Sequence, residues 1–274
     1  MQRSLRIILG VAAASGVPAC AVAQASYGFT VGAAQLSDTR NERALSAVLQ
    51  FQPRGWLTLS VLPSYVRVSD SGVSSTGLGD LPLVAGAAHT FGGAASPTLG
   101  VALVTTLPTG DAACGLGTGQ ASWGADAGVS VAATDALRLS VSGSHGFSGL
   151  GTQSALSAPQ ATSLRFEAAL AVSSRWILGG SLGGDVGHAD STQALARTVG
   201  AGATYAVSGP LALTMDVGHG LTAASPQWVL SIGIGTAFSG ISPVAPTSSL
   251  RRLKDSFGGG VSRGSGSGKV GACH

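Results

Sequence analysis

"SLRFEAALAV", residues 163–172, sorts its side chains by parity. Leu164, Phe166, Ala168, Leu170 and Val172 share one parity, and Arg165 and Glu167 share the other. A period of two is the mark of a β-strand, whose successive side chains point to opposite faces. One face is therefore apolar and the other carries charge. The fold depends on what medium the apolar face meets.

Composition answers that. Charged residues are 10% of the 274-residue chain, where a soluble domain carries about a quarter. Mean hydropathy is +0.37, yet there are 42 glycines. A spanning helix needs about 20 unbroken apolar residues. The uncharged stretch 81–110 is interrupted by Pro82, Gly92, Gly93, Pro97 and Pro108. In lipid every backbone polar group must be paired internally, so a membrane chain without such helices is expected to be a closed β-barrel.

Outward from 163–172 the same period recurs. Strands are predicted at 27–36, 42–52, 56–67, 78–91, 98–107, 121–132, 136–147, 163–173, 176–187, 197–207, 210–219 and 227–238. The expected fold is thus all-β, a transmembrane antiparallel up-and-down β-barrel of about twelve strands. Connections at 53–55, 92–96, 133–135, 173–175 and 208–209 are short. Those at 68–77, 108–120, 148–162 and 188–196 are longer. Short turns on one side and longer loops on the other are the habit of bacterial outer-membrane barrels.

Parity assigns the faces. Leu137, Leu139 and Val141 oppose Arg138 and Ser140; Leu211, Leu213, Met215 and Val217 oppose Thr214 and Asp216. The last strand is expected to turn Trp228, Leu230, Ile232, Ile234 and Phe238 outward. The predicted lumen-lining charges are Asp126, Arg138, Arg165, Glu167, Asp185 and Asp216. An Arg or Lys on the lipid face at the midplane costs about 2–4 kcal/mol, which explains the sorting. Aromatics are only 5% of the chain, so the interfacial girdles are expected to be sparse, with Trp56, Trp176 and Trp228 near strand starts.

The ends differ from the middle. Residues 1–25 hold Arg3 and Arg6, an apolar core and small residues before Ala23 and Ala25, the pattern of a cleaved secretory signal. Residues 239–274 form a Gly/Ser-rich tail with Arg251, Arg252, Lys254, Arg263 and Lys269 against Asp255, expected to be disordered. Residues 26–238, the expected barrel, carry eight arginines and eleven acids. The basic balance of the whole chain thus resides in its ends, and no nucleic-acid partner is expected.

Catalytic and metal motifs are weak. The glycines of "GLGTG" (115–119) lack the Lys-Ser/Thr of a phosphate loop and read as an exposed loop. Ser144 and His145, with Asp185 and Asp216, contain the residue types of a hydrolase triad, but adjacent strand residues point to opposite faces. Cys20, Cys114 and Cys273 show no metal spacing and no disulfide framework. No cofactor, metal ligand or catalytic residue is expected.

Three segments share a further likeness. "TGLGDLPL" (76–83), "LGVALVTTLPTGD" (99–111) and "GLGTGQASWGADAGVS" (115–130) resemble the outer-membrane family labelled "Putative meta-pathway of phenol degradation". The resemblance implies an outer-membrane channel for passive passage of small molecules, aromatic or hydrophobic ones among them, with no catalytic residues. The alternatives are a non-conducting structural or surface-binding barrel and, behind it, a membrane-embedded hydrolase. Expected partners are outer-membrane lipid, a small-molecule solute, and the barrel assembly machinery through a terminal strand ending at Phe238.

Overall fold

The computed structural model describes residues 24–147, 162–186 and 195–238. Fourteen strand segments occur among them: β1 (Gln24–Gln35), β2 (Arg40–Arg54), β3 (Leu57–Val61), β4 (Ser64–Asp70), β5 (Val73–Leu78), β6 (Leu81–Thr90), β7 (Thr98–Leu107), β8 (Ser122–Ala132), β9 (Leu137–Phe147), β10 (Thr162–Ala171), β11 (Trp176–Val186), β12 (Arg197–Ser208), β13 (Leu211–Gly220) and β14 (Trp228–Gly235). All neighbours are antiparallel, and β1 pairs with both β2 and β14, so the sheet closes on itself. Closure leaves no edge, which is what lipid requires.

The fourteen segments make twelve spanning strands. β3 runs on into β4, and β5 into β6, each across a short break. Pro63, at the first break, has no N–H to give. The ladder nonetheless continues through it: Leu62 N donates to Pro82 O at 3.1 Å, and Ala47 N to Pro63 O at 2.9 Å. Opposite, the pairing steps from Val61↔Leu83 to Tyr65↔Leu78, four residues on one strand against five on the other. That extra residue is a β-bulge at Gly79–Asp80, a device that re-aims a side chain. The predicted twelve-strand barrel is confirmed.

One predicted loop is corrected. Residues 68–77 form no long connection, because β4 and β5 pair down to Asp70↔Val73. The turn is Ser71–Gly72, both at positive φ (50° and 86°), as a tight hairpin turn requires. The polar residues that read as loop, Ser69, Asp70, Ser74 and Ser75, belong to the paired ends of β4 and β5.

The lipid face follows parity. Val31, Leu45, Leu103, Val141, Phe166, Leu182, Met215 and Ile232 all lie exposed on the outer wall. No described helix is long and apolar enough to cross a membrane; the strands do so. Tyr27, Phe51, Trp56, Phe91 and Trp176 ring the short-turn end, and Trp123, Phe147 and Trp228 the other. Trp176 and Tyr205 pair across β11 and β12 with centroids 4.8 Å apart. The girdles are sparse but present at both ends.

The interior is not uniformly polar, contrary to the expectation from parity. Ala44, Val48, Leu62, Val66, Val68, Val84, Ala102, Ala212, Cys114, Leu116 and Phe238 form one buried apolar cluster against one side of the barrel. Phe238 is the main correction. The terminal strand ends at Gly235, and Thr236–Phe238 form a 3-10 turn that leaves the ladder. The Phe238 ring is fully buried over the inward faces of Gly28 and Gly233. It therefore lies in the lumen at the short-turn end, not on the lipid face. Burying such a ring is worth roughly 1.5–3 kcal/mol, and the glycines give it room: a Cβ on Gly28 would stand 2.5 Å from its Cζ.

The expected barrel boundary at residue 26 is two residues inside β1, since Gln24 and Ala25 already pair with Gln52 and Phe51. The rest of the expected signal and tail lies outside the described residues, as do the predicted loop residues 148–161 and 187–194.

Candidate functional site: the lumen and its folded loop

All six predicted charges point inward, and the register brings them together on one side. Successive inward positions of a strand stand about 6.8 Å apart, two residues of rise. Starting at the longer-loop end, one row across the sheet holds Asp126, Ser144, Ser163 and Asp185. The two serines share a hydrogen bond, Oγ to Oγ at 2.6 Å, and Ala196 N donates to Asp185 Oδ2 at 3.4 Å. The next row places Arg165 between Ser142 and Gly183. Below it Glu167 lies between Ser140 and Ser181, and below that Arg138 pairs with Ala169. Within β8–β11 the signs alternate down the wall, acidic, basic, acidic, basic, and further along the last row, on β13, stands the acid Asp216.

Alternation keeps each charge near its opposite. Arg165 Nη1 lies 3.9 Å from Glu167 Oε1, with both side chains about a fifth exposed. Arg138 Nη1 donates to Ser130 Oγ at 3.4 Å. Asp216 is on the Arg138 row, beyond Ala169, Gly179 and Gly202. Its carboxylate leans across Gly202, in the space a Cβ there would need. Between the charges the inward positions are mostly serine, threonine and glycine, small residues that project little into the lumen.

Parity alone misses other inward charges. Glu42 is buried and Arg40 half-buried on the inner face of β2, at a strand end that the notional boundary at residue 42 obscures. Arg43 and Arg67 face outward, directly opposite each other on β2 and β4, near the rim where the bilayer ends. An apolar groove of about 930 Å³ runs along the outer wall, where Leu49, Phe51, Leu59, Leu83, Leu103 and Trp123 line it. It faces lipid and stands apart from the charge ladder.

The glycine-rich connection between β7 and β8 does not stay outside. Asp80, aimed by the bulge, holds it: Oδ1 accepts from Gly110 N at 3.0 Å, and Oδ2 from Thr118 N at 2.7 Å and Thr118 Oγ1 at 2.9 Å. Thr109 Oγ1 donates to Gly79 O at 2.8 Å. Asp111 Oδ1 caps the turn by accepting from Ala113 N and Cys114 N at 2.9 and 3.3 Å. Leu116 packs over Gly77, leaving no room for a Cβ there, and Cys114 is 4% exposed. The loop expected to be exposed is thus folded and partly tucked in: Cys114 and Leu116 are buried against the inner wall, while Pro108, Thr109, Asp111–Ala113 and Thr118–Gln120 stay exposed. Cys114 is also disulfide-bonded, where the cysteine spacing suggests no framework; its partner lies outside the described residues.

The triad residues stay apart. Ser144 Oγ meets Ser163 inside the barrel, while His145, on the outer face, bonds Thr162 Oγ1 through Nδ1 at 2.9 Å and lies edge-on to Phe147. Among the described residues no group of His, Cys, Asp and Glu is placed to hold a metal.

Comparison with known proteins agrees with this architecture. No curated protein matches the chain. Among solved structures, the chain is similar to the COG4313 outer membrane channel from Pseudomonas putida F1, at 18% identity and a TM-score of 0.58, covering 81% of this chain and 99% of that one. It is also similar to the KdgM porin in complex with disordered oligogalacturonate, at 12% identity and a TM-score of 0.50, covering 77% and 97%. At these identities the likeness is one of fold, that of an outer-membrane β-barrel. The family model described as "Putative MetA-pathway of phenol degradation" matches residues 17–238; on that match the chain belongs to this family of outer-membrane barrel proteins.

Proposed function

We propose that the half of the lumen lined by β8–β13 is a passive passage for small solutes across the outer membrane. The observation that carries this is the alternating charge ladder, Asp126 and Asp185, Arg165, Glu167 and Arg138, along a wall of serine and glycine. Charges of alternating sign on a wall of small polar residues offer polar contact at every level without one dominant well, which passage needs. The family's description points to small aromatic compounds as the solute class, and the apolar seam opposite the ladder suits them. Chemistry on the solute is not part of this reading, since Ser144 and His145 lie on opposite faces of β9.

Planar-bilayer recording of the refolded full chain tests it. Discrete openings are expected, with a reversal potential that moves when Arg138 and Arg165 are both changed to Glu. A membrane that stays silent, together with no solute uptake by vesicles carrying the protein, refutes the passage. The apolar cluster around Phe238 favours one second reading, a filled barrel with a structural role, and that silence is its signature.

A further inference from the structure

The outer wall carries no acid on any described strand: Glu42, Asp70, Asp126, Glu167, Asp185 and Asp216 all take the inner parity. Arginine is not excluded in the same way. Arg43, Arg67 and Arg197 take the outer parity, and all three stand near the longer-loop end. Arg43 and Arg67 are moreover directly opposite each other on β2 and β4, where facing Cα atoms are about 4.5–5.5 Å apart. Both are exposed, and among the described residues neither guanidinium has an ion-pair or hydrogen-bond partner. Like charges directly opposite destabilise a strand pair. An anion held between the two guanidiniums removes that penalty.

Depth selects the anion. The next outer row toward the loops is polar: Gln35, Asn41, Ser69 and Ser74, beside Trp228, whose Nε1 donates to Gln35 Oε1 at 2.9 Å. The next row toward mid-membrane is Val31, Leu45, Tyr65 and Leu78, all exposed. Rows on one face are about 6.8 Å apart. The arginine pair thus lies where headgroups meet acyl chains, the level at which aromatic residues such as Trp228 and Tyr65 settle. Longer loops mark the external end of such a barrel, so the leaflet is the external one. Charge selects further. A phosphate monoester offers three free oxygens and carries about −1.5 to −2 charge at neutral pH, enough for both guanidiniums to bind at once. A phosphodiester has fewer free oxygens and a single charge. The amide and hydroxyl groups of Gln35, Asn41, Ser69 and Ser74 suit a sugar above the phosphate, and the apolar row below suits acyl chains.

We propose that Arg43 and Arg67 form a binding site on the outer wall for a phosphorylated glycolipid of the external leaflet, of the lipopolysaccharide class. Its monoester phosphate bridges the two guanidiniums, and its acyl chains lie along Val31, Leu45 and Leu78. The site faces lipid, outside the lumen that holds the charge ladder, and does not depend on whether the barrel conducts.

Titration of the full chain, purified from outer membranes into detergent and stripped of lipid, with fluorescently labelled lipid A tests the site. Native mass spectrometry of the same samples counts the bound lipid. Saturable binding is expected in the wild type. Each of Arg43→Gln and Arg67→Gln should weaken it about tenfold and the pair about a hundredfold, the low end for a charge-assisted bond at an exposed site. Arg175→Gln, a change in a turn at the short-turn end, should leave it unchanged. Wild-type affinity in the double variant overturns the proposal. A second arm uses the wild type alone, so no variant need fold. Lipid A freed of its phosphates, and phosphatidylglycerol, a phosphodiester, are each expected to bind about tenfold or more weakly than lipid A. Equal binding of either one overturns the assignment, as does displacement of lipid A by millimolar inorganic phosphate, which would mark a site for the free ion. Channel conductance of the double variant is expected to match the wild type, which separates this site from the passage reading.

Discussion

Replacing Asp80 by Ala removes the acceptor for three hydrogen bonds, from Gly110 N, Thr118 N and Thr118 Oγ1. Bonds to a charged group contribute about 1.5–3 kcal/mol each. Thr118 is exposed and Asp80 half-buried, so the low end applies, and the clamp is worth about 4 kcal/mol to the folded insert. None of the three bonds belongs to the barrel ladder. The loss is therefore local: opening of residues 108–121 becomes easier while the wall keeps its pairing. At 1.4 kcal/mol per factor of ten, amide exchange at Gly110 and Thr118 should accelerate about a thousandfold. Amides of Val141 or Leu182, deep in the wall, should not change. Hydrogen–deuterium exchange of the refolded protein in detergent reads both sets at once. Asp80→Asn, which keeps one carbonyl acceptor but turns an NH2 toward a donor, should fall between the two. If Gly110 and Thr118 keep wild-type protection in Asp80→Ala, the clamp does not hold the insert.

Two further changes test the wall and its end. Phe238→Ala should cost about 3 kcal/mol of unfolding free energy, measured by urea titration in lipid vesicles; a change under 0.5 kcal/mol would put the ring outside the lumen. Val141→Arg places a cation on the lipid face near mid-height and should cost about 2–4 kcal/mol in the same assay, whereas Val141→Leu should be close to neutral.

The barrel was legible because two solvents sort its side chains. Wherever a strand crosses, lipid on one face and the lumen on the other write a period of two, and that period located all twelve spans. Parity fails where the chain leaves the ladder. Extrapolated past Gly235, it turns Phe238 to the lipid, but Thr236–Phe238 is a 3-10 turn and the alternation no longer applies. It fails also at Gly79–Asp80, where one extra residue shifts the pairing, an event with no compositional trace. The insert could not be read from its own glycines, since its anchor is a carboxylate thirty residues earlier. The three segments of the family resemblance meet in that single clamp: Asp80 of the first holds Gly110 of the second and Thr118 of the third. The parity of each charge is a matter of its own strand, but the alternation of sign along β8–β11 comes from register, which a sequence does not show.

The wall of β11–β14 suggests how such a passage can change its width. Gly179, Gly200, Gly202, Gly218 and Gly233 all present bare backbone to the interior. A methyl group at Gly200 would press on Ser181 Oγ, one at Gly202 on Asp216, and one at Gly233 on Thr214 and Thr30, while a methyl at Gly179 or Gly218 would meet only ordinary contacts at 3.7–3.9 Å. The bore is thus set by missing carbons. Its calibre is adjustable one methyl at a time, at some positions freely and at others only by moving a neighbour, without altering a hydrogen bond of the wall or the face it shows to lipid.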